Sequence, residues 1–215
     1  PCPNSLLHGL GVGAAMTYGH DYGTLATPEL PTYRTQGQTA FVQYPTGPTL
    51  ATTAVADGMR WRADVQGHLF VGRFGALSEY ARSAQHVVLG ANVGNVIADA
   101  WMIEAQWVLT GEDATYASVV PRAPFEFARR QWGAVDVVVR YDVLRVQHGA
   151  FSEQLLDPSK AARRTRGYSI GADWFASTHV RVTLDAERTT FRLGFAGGTN
   201  RPDETVMTAR LQVVF

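Results

Sequence analysis

The chain has 215 residues, with 19 basic and 19 acidic side chains and a formal net charge of zero, so no global charge recruits nucleic acid or an anionic surface. Charged residues make up only 18%, below the roughly 25% of an ordinary soluble domain. No apolar run approaches the roughly 18 residues of a transmembrane helix, the densest piece being VDVVV at 135–139.

Taken in chain order, the sequence shows alternation rather than helical stripes. GLGVGAAMTYG (9–19) sets Leu10, Val12, Ala14, Met16 and Tyr18 against small residues, and a further strand is expected over 36–44. MRWRADVQGHL (59–69) places Trp61, Ala63, Val65 and Leu69 opposite Arg60, Arg62, Asp64, Gln66 and His68. After the tight turn VGRFG (71–75), a strand is expected over 74–84, then AWMIEAQWVL (100–109), with Trp101, Ile103, Ala105 and Trp107 opposite Met102, Glu104 and Gln106. GAVDVVVRYDVLRV (133–146), GYSIGADWF (167–175) and VRVTLDAE (180–187) repeat the pattern, the last two joined by the turn ASTH (176–179). The chain closes on TARLQVVF (208–215), alternating to its final Phe215. This predicts about nine antiparallel strands in a single β-barrel domain over 1–215. Long loops fall near 45–58, 85–95, 147–167 and 195–204, with a long connection over 110–132.

Which face meets water decides the class. The polar faces mix lone arginines, carboxylates, Gly and Ala, without the Lys, Glu and Thr cover of an exposed sheet. The apolar faces carry Trp101, Trp107, Tyr141, Tyr168 and Trp174 toward strand ends, as an interfacial aromatic girdle does. The expected fold is therefore all-β, an antiparallel transmembrane β-barrel with its apolar face toward lipid. A soluble barrel binding a small apolar ligand is the alternative that these residues leave open. A final strand ending in Phe looks like the signal read by bacterial barrel-assembly machinery. If Phe215 ends on the periplasmic side, the two tight turns are periplasmic, 147–167 is extracellular, and the first of nine strands runs downward from outside the cell.

Several segments resemble the phosphate-selective porin O and P family. They are GLGVGAAMTYG, LPTYRTQGQTAFVQY (30–44), DGMRWRADVQGHLFVGRFGALSEYARSAQ (57–85), WMIEAQWVLTGED (101–113), QWGAVDVVVRYDVL (131–144) and ARLQVVF. Most specific is VLTGED before the long connection, followed by WGA and a strand bearing Arg-Tyr. The resemblance implies a trimeric channel of the bacterial outer membrane with about 16 strands, of which this chain would supply the C-terminal part. It also implies a lumen whose arginine ladder and lysine clusters conduct phosphate or related anions. The chain departs from this in its length and in Lys160, its single lysine beside 18 arginines. The expected function is thus a diffusion channel for small hydrophilic solutes with weak anion selectivity at most. A non-conducting structural or adhesin-like barrel is the alternative.

A pore of that kind selects by lumen-facing charge. The alternation points Arg60, Arg62, Arg140, Arg181 and Arg210 inward, on faces shared with Asp64, Asp142, Asp185 and Glu187. If 109–132 folds back to form a constriction, Arg122, Arg129 and Arg130 join them. Arg163, Arg164 and Arg166 sit in the expected outer loop, where they could attract anions or contact lipopolysaccharide phosphates. The partners expected are inorganic anions or small solutes, outer-membrane lipid and lipopolysaccharide, the barrel-assembly machinery through Phe215, and two further copies in a homotrimer. No nucleic acid, cofactor or metal is expected: Cys2 is the lone cysteine and the six histidines show no ligand spacing. GLGVGA (9–14) superficially matches a dinucleotide fingerprint, but no helical pattern follows it. Catalytic residues are not expected either.

Overall fold

The structure, a computed structural model, describes residues 9–214. Phe215, and with it the expected assembly signal, lies outside the described residues. Seven long strands follow one another in the sheet: β1 (Leu10–Tyr22), β2 (Val55–Val71), β3 (Phe74–Leu89), β4 (Asn92–Val108), β5 (Ala134–Val146), β6 (Ala162–Phe175) and β7 (Val180–Phe195). Beside β7 lie the two-residue β8 (Thr199–Asn200) and the last long strand, β9 (Glu204–Val213). Every pairing is antiparallel. β1 and β9 form the two edges, and the sheet is not closed on itself among the described residues. With no helix long and apolar enough to cross a membrane, the all-β antiparallel reading stands, in the form of an open section of barrel wall.

Strand direction defines two ends. The turns Gly72–Arg73 and 176–179 and the connection 109–133 lie at one, here the turn end. Segments 23–54, 90–91, 147–161 and 196–203 lie at the other, the loop end. The long strands run 10 to 17 residues, and most exceed the roughly 9–11 needed to cross a bilayer, so they extend past the hydrocarbon.

Four sequence expectations change. Residues 36–44 do not form a strand; the segment makes only an isolated bridge between Arg34 and Ala40. It turns at Gln38, whose φ is 64°, and buries the neighbours Phe41 and Val42 together, which no one-sided strand can do. Residues 85–95 are not a loop, because β3 and β4 continue to Leu89 and from Asn92 and are closed by Gly90-Ala91. Gly90 has a φ of 60°, the left-handed value that lets two residues reverse a strand. The sheet has nine strands, as expected, but the two-residue β8 is one of them in place of 36–44, so β1 runs from the turn end to the loop end, antiparallel to β2. The 147–167 loop shortens as well, since β6 already begins at Ala162.

The two faces of the sheet are packed differently. Val12, Met16, Trp101, Ile103, Trp107, Val139, Ile170, Leu184 and Met207 project from the outer face, bare and apolar. Buried apolar residues gather instead on the inner face, in two clusters. At the loop end Phe41, Val42, Leu155 and Leu156 pack on Val87, Val96, Val146 and Phe191 of the sheet. At the turn end Ala114 and Val119 of the long connection pack on Val108, Ala134 and Phe175. Each fully buried Leu contributes about 1.5–3 kcal/mol, enough to hold the loops inside.

Aromatic residues band the outer face. Trp101, Tyr141 and Tyr168 are in contact across three strands, with centroid separations of 5.2 and 4.9 Å. Phe74 and Trp107 stack at 6.0 Å toward the turn end, and Trp174 and Phe125 meet at 5.3 Å. Trp101 and Trp107 stand six residues apart, about 20 Å along the strand. Between them the outer face presents Ile103, Val139 and Ile170.

Candidate functional site

The inner face is polar because every second residue of each strand belongs to it. On β1 those residues are mostly small, and the long side chains of β2 lie over them: a Cβ at Gly11 would meet the His68 ring at 2.2 Å, and one at Gly13 the Gln66 side chain at 3.1 Å. Asp142 and Asp185 lean in the same way over Gly167 and Gly171. These glycines serve close side-chain approach, and nothing about β1 resembles the turn into a helix that a dinucleotide fingerprint requires. The His68 ring packs against Phe70 and Tyr116, with centroids 5.5 and 5.0 Å away.

Segment 30–44 crosses this face. Tyr33 shares a hydrogen bond with Ser83 of β3 at 3.3 Å. Farther along, the Thr35 hydroxyl donates to Glu204 of β9 at 2.9 Å, and Phe41 lies against Phe191 of β7 with centroids 6.3 Å apart. The Ala162 N–H donates to the Phe41 carbonyl at 2.8 Å, and Arg201 donates to the Ala40 carbonyl at 2.9 Å. Two cavities lie between the segment and the sheet. One, of about 390 Å³, is bounded by Tyr33, Arg60, Arg62, Asp64, Glu79 and Ser83. The other, of about 310 Å³, is bounded by Arg34, Glu79, Met102, Arg140, Asp142 and Glu187. A single cavity walled by β3 through β7 requires the sheet to curve around it, since five strands laid flat would span about 19 Å.

Arg60, Arg62, Arg140, Arg181 and Arg210 all fall on the polar face of the sheet by register, but in different company. Arg60 is paired with Asp21 at 2.6 Å. Arg140 donates twice to Glu104 across the β4–β5 pair, at 2.8 and 2.5 Å. Arg181 grips Asp173 with a planar fork, at 2.9 and 2.5 Å. Arg62 lines the larger cavity and makes no ion pair with a described residue. Arg210, opposite Thr183 in register, is exposed and likewise makes none. The structure therefore does not bring the five together as one ladder.

Near the turn end the inner face turns acidic. Asp136 and Asp173 are opposite in register on β5 and β6 and both buried. Gln106 donates to one oxygen of Asp136 at 2.5 Å, the other oxygen having no partner. Thr183 adds a hydrogen bond to Asp173. Arg181 is the one cation paired with either carboxylate among the described residues, so it holds this group together.

The long connection packs on the inner face at the turn end, but its Arg122, Arg129 and Arg130 lie outside the two inner cavities. Arg122 turns back on its own connection and donates to the Gly111 carbonyl at 2.6 Å. Its N–H and its charge also serve Glu112. Burial pushes the Glu112 carboxyl up, but these contacts and the Thr110 hydroxyl outweigh it and hold the group below its ordinary range. Arg129 is paired with Glu126 and 72% exposed, and Arg130 caps the short turn over 127–129. The crossing segment is 30–44, and its Arg34 was not among the expected residues. What could have drawn attention to it is the YRTQGQ stretch, a basic residue before a turn signal within a weakly alternating region.

The described strands present ten carboxylates to the inner face: Asp21, Asp64, Glu79, Glu104, Asp136, Asp142, Asp173, Asp185, Glu187 and Glu204. Against them stand the five inward arginines. Such a surface offers water and ions a mixed, partly self-neutralised path. No group of histidine, cysteine and carboxylate side chains suited to a metal ion occurs among the described residues.

A search of curated proteins finds no match to the chain. The model of the phosphate-selective porin O and P family matches residues 30–215, β2 through the last strand, and the chain belongs to that family of outer-membrane porins.

Proposed function

We propose that the chain forms part of the wall of a diffusion channel for small hydrophilic solutes, in which anions are favoured only weakly. The observation that carries this reading is the division between the two faces. The outer face is apolar and banded by aromatics, and the inner face carries charges along water-sized spaces beneath segment 30–44. An anion moving along the inner face would meet Arg62, which has no carboxylate partner among the described residues, and then Arg34 and Arg140. The surrounding carboxylates limit how far such a surface can exclude cations. Phosphate is then one permeant solute among several. Homotrimer assembly and recognition by the barrel-assembly machinery belong to the same reading.

Planar-bilayer recording on the full-length protein under a salt gradient tests it. Open channels with a small reversal potential of anionic sign are expected. The absence of channels would overturn the channel reading, and strong cation preference would overturn the anion assignment.

A further inference from the structure

One charged feature lies on the opposite face of the sheet from the channel lining. In register across five strands, the outer face carries Arg82, Asp99, Arg145, Arg164 and Arg192. Arg166 lies two residues from Arg164, toward the centre of β6. Asp99 is the single carboxylate of this row, and it is occupied by Arg82 at 3.5 Å, the Tyr80 hydroxyl at 3.0 Å and Gln147 at 3.1 Å. Arg145, Arg164, Arg166 and Arg192 make no ion pair with any described residue, and the charges of the other three all bear on Arg164. Like charges set directly opposite one another weaken a sheet, so this arrangement calls for an anion from outside the chain. Arg164, Arg166 and Arg192 border a cleft of about 350 Å³ together with Thr190 and Asn200.

Depth identifies that anion. The row stands two to four residues beyond Trp101, Tyr141 and Tyr168 toward the loop end, about 7–13 Å along the strands. Aromatic girdles sit at the level of lipid headgroups, which puts these guanidinium groups among the phosphates of the adjoining leaflet. Arg is suited to phosphate through its planar fork. The geometry points to a binding site for the phosphate groups of a membrane lipid, built from Arg145, Arg164, Arg166 and Arg192 on the lipid-facing side of the wall. Channel-mouth attraction of free anions is a different role, and it would need these side chains on the inner face.

The inference rests on the outer face meeting lipid but not on which solutes the channel passes, so binding and conductance report separately. The full-length protein in detergent micelles is titrated with bis-phosphorylated lipid A, with its dephosphorylated form and with inorganic phosphate. The readout is retained ligand by native mass spectrometry. The wild type should hold the phosphorylated lipid about a hundredfold more tightly than the dephosphorylated one, and the R145Q/R164Q/R192Q variant should lose that difference with conductance unchanged. The single R192Q variant, which changes an exposed side chain with no ion pair to a described residue, should weaken binding severalfold. Undiminished binding by either variant would overturn the lipid site, and so would full displacement of lipid A by inorganic phosphate.

Discussion

The inner and outer faces of the same strands use arginine in opposite ways. On the inner face Arg60, Arg140 and Arg181 each meet a carboxylate on a neighbouring strand. On the outer face, near the loop end, Arg145, Arg164 and Arg192 stand opposite one another in register. A one-residue step along a strand separates the two settings, because the period-2 pleat assigns alternate residues to opposite faces. The difference shows that residue type alone does not mark a channel residue here: parity decides which face a guanidinium takes, and the residues across from it in register decide whether it finds a carboxylate.

That comparison can be broken at its strongest point by placing charge in the apolar band. Ile170, 56% exposed on the outer face of β6, stands midway between the aromatic rows. Ile170→Arg should cost about 2–4 kcal/mol of folding free energy in a bilayer, read by denaturant titration of the protein in lipid vesicles. The neighbouring inner substitution Ser169→Arg should cost far less, since Ser169 faces the water-filled side near Glu187, to which it donates at 3.0 Å.

A smaller effect is expected where inner charges are partly buried. Arg181→Ala leaves Asp173 and Asp136 without the cation that links them. Removing one partner of a buried pair costs about 3–5 kcal/mol. Because the Arg181 side chain is 36% exposed, a loss of about 1–3 kcal/mol is expected in the same titration. Arg181→Lys should recover only part of it, an ammonium being unable to reproduce the two-point contact.

The smallest change in stability should come from Arg62, whose side chain has no described ionic partner to lose. Arg62→Glu should leave the unfolding midpoint within about 0.5 kcal/mol of the wild type while moving the reversal potential toward cations, more at low salt than at high salt. An unchanged reversal potential would remove Arg62 from the conducting path.

Much of this architecture was legible as alternation. The two-sided strands at 100–109, 133–146 and 180–187 needed only their parity to predict which residues lie inward, and the five inner arginines followed from it. Residues 36–44 misled for a physical reason: Phe41 and Val42 pack side by side under the crossing segment, a tertiary arrangement that local alternation does not encode. The hairpin at 90–91 was hidden by the polar character of the strand ends around it, where Asn92, Asn95 and Gln85 look like loop residues. The ion pairs join residues 39, 36 and 8 positions apart in the chain, and their partners depend on strand register. The outer arginine row was half visible in Arg164 and Arg166. Arg145 and Arg192 join it only through cross-strand pairing.

The assignment of one face to water and the other to lipid is tested most directly by paired cysteines on β4. Met102 lines an inner cavity, and Ile103, the next residue, is 52% exposed on the outer face. With Cys2 replaced, full-length Met102→Cys and Ile103→Cys proteins in lipid vesicles are treated with a charged, membrane-impermeant thiol reagent applied on both sides. Cys at 102 should be labelled, with a loss of conductance, while Cys at 103 should stay unreacted. Labelling at 103 with protection at 102 would overturn the assignment of the two faces.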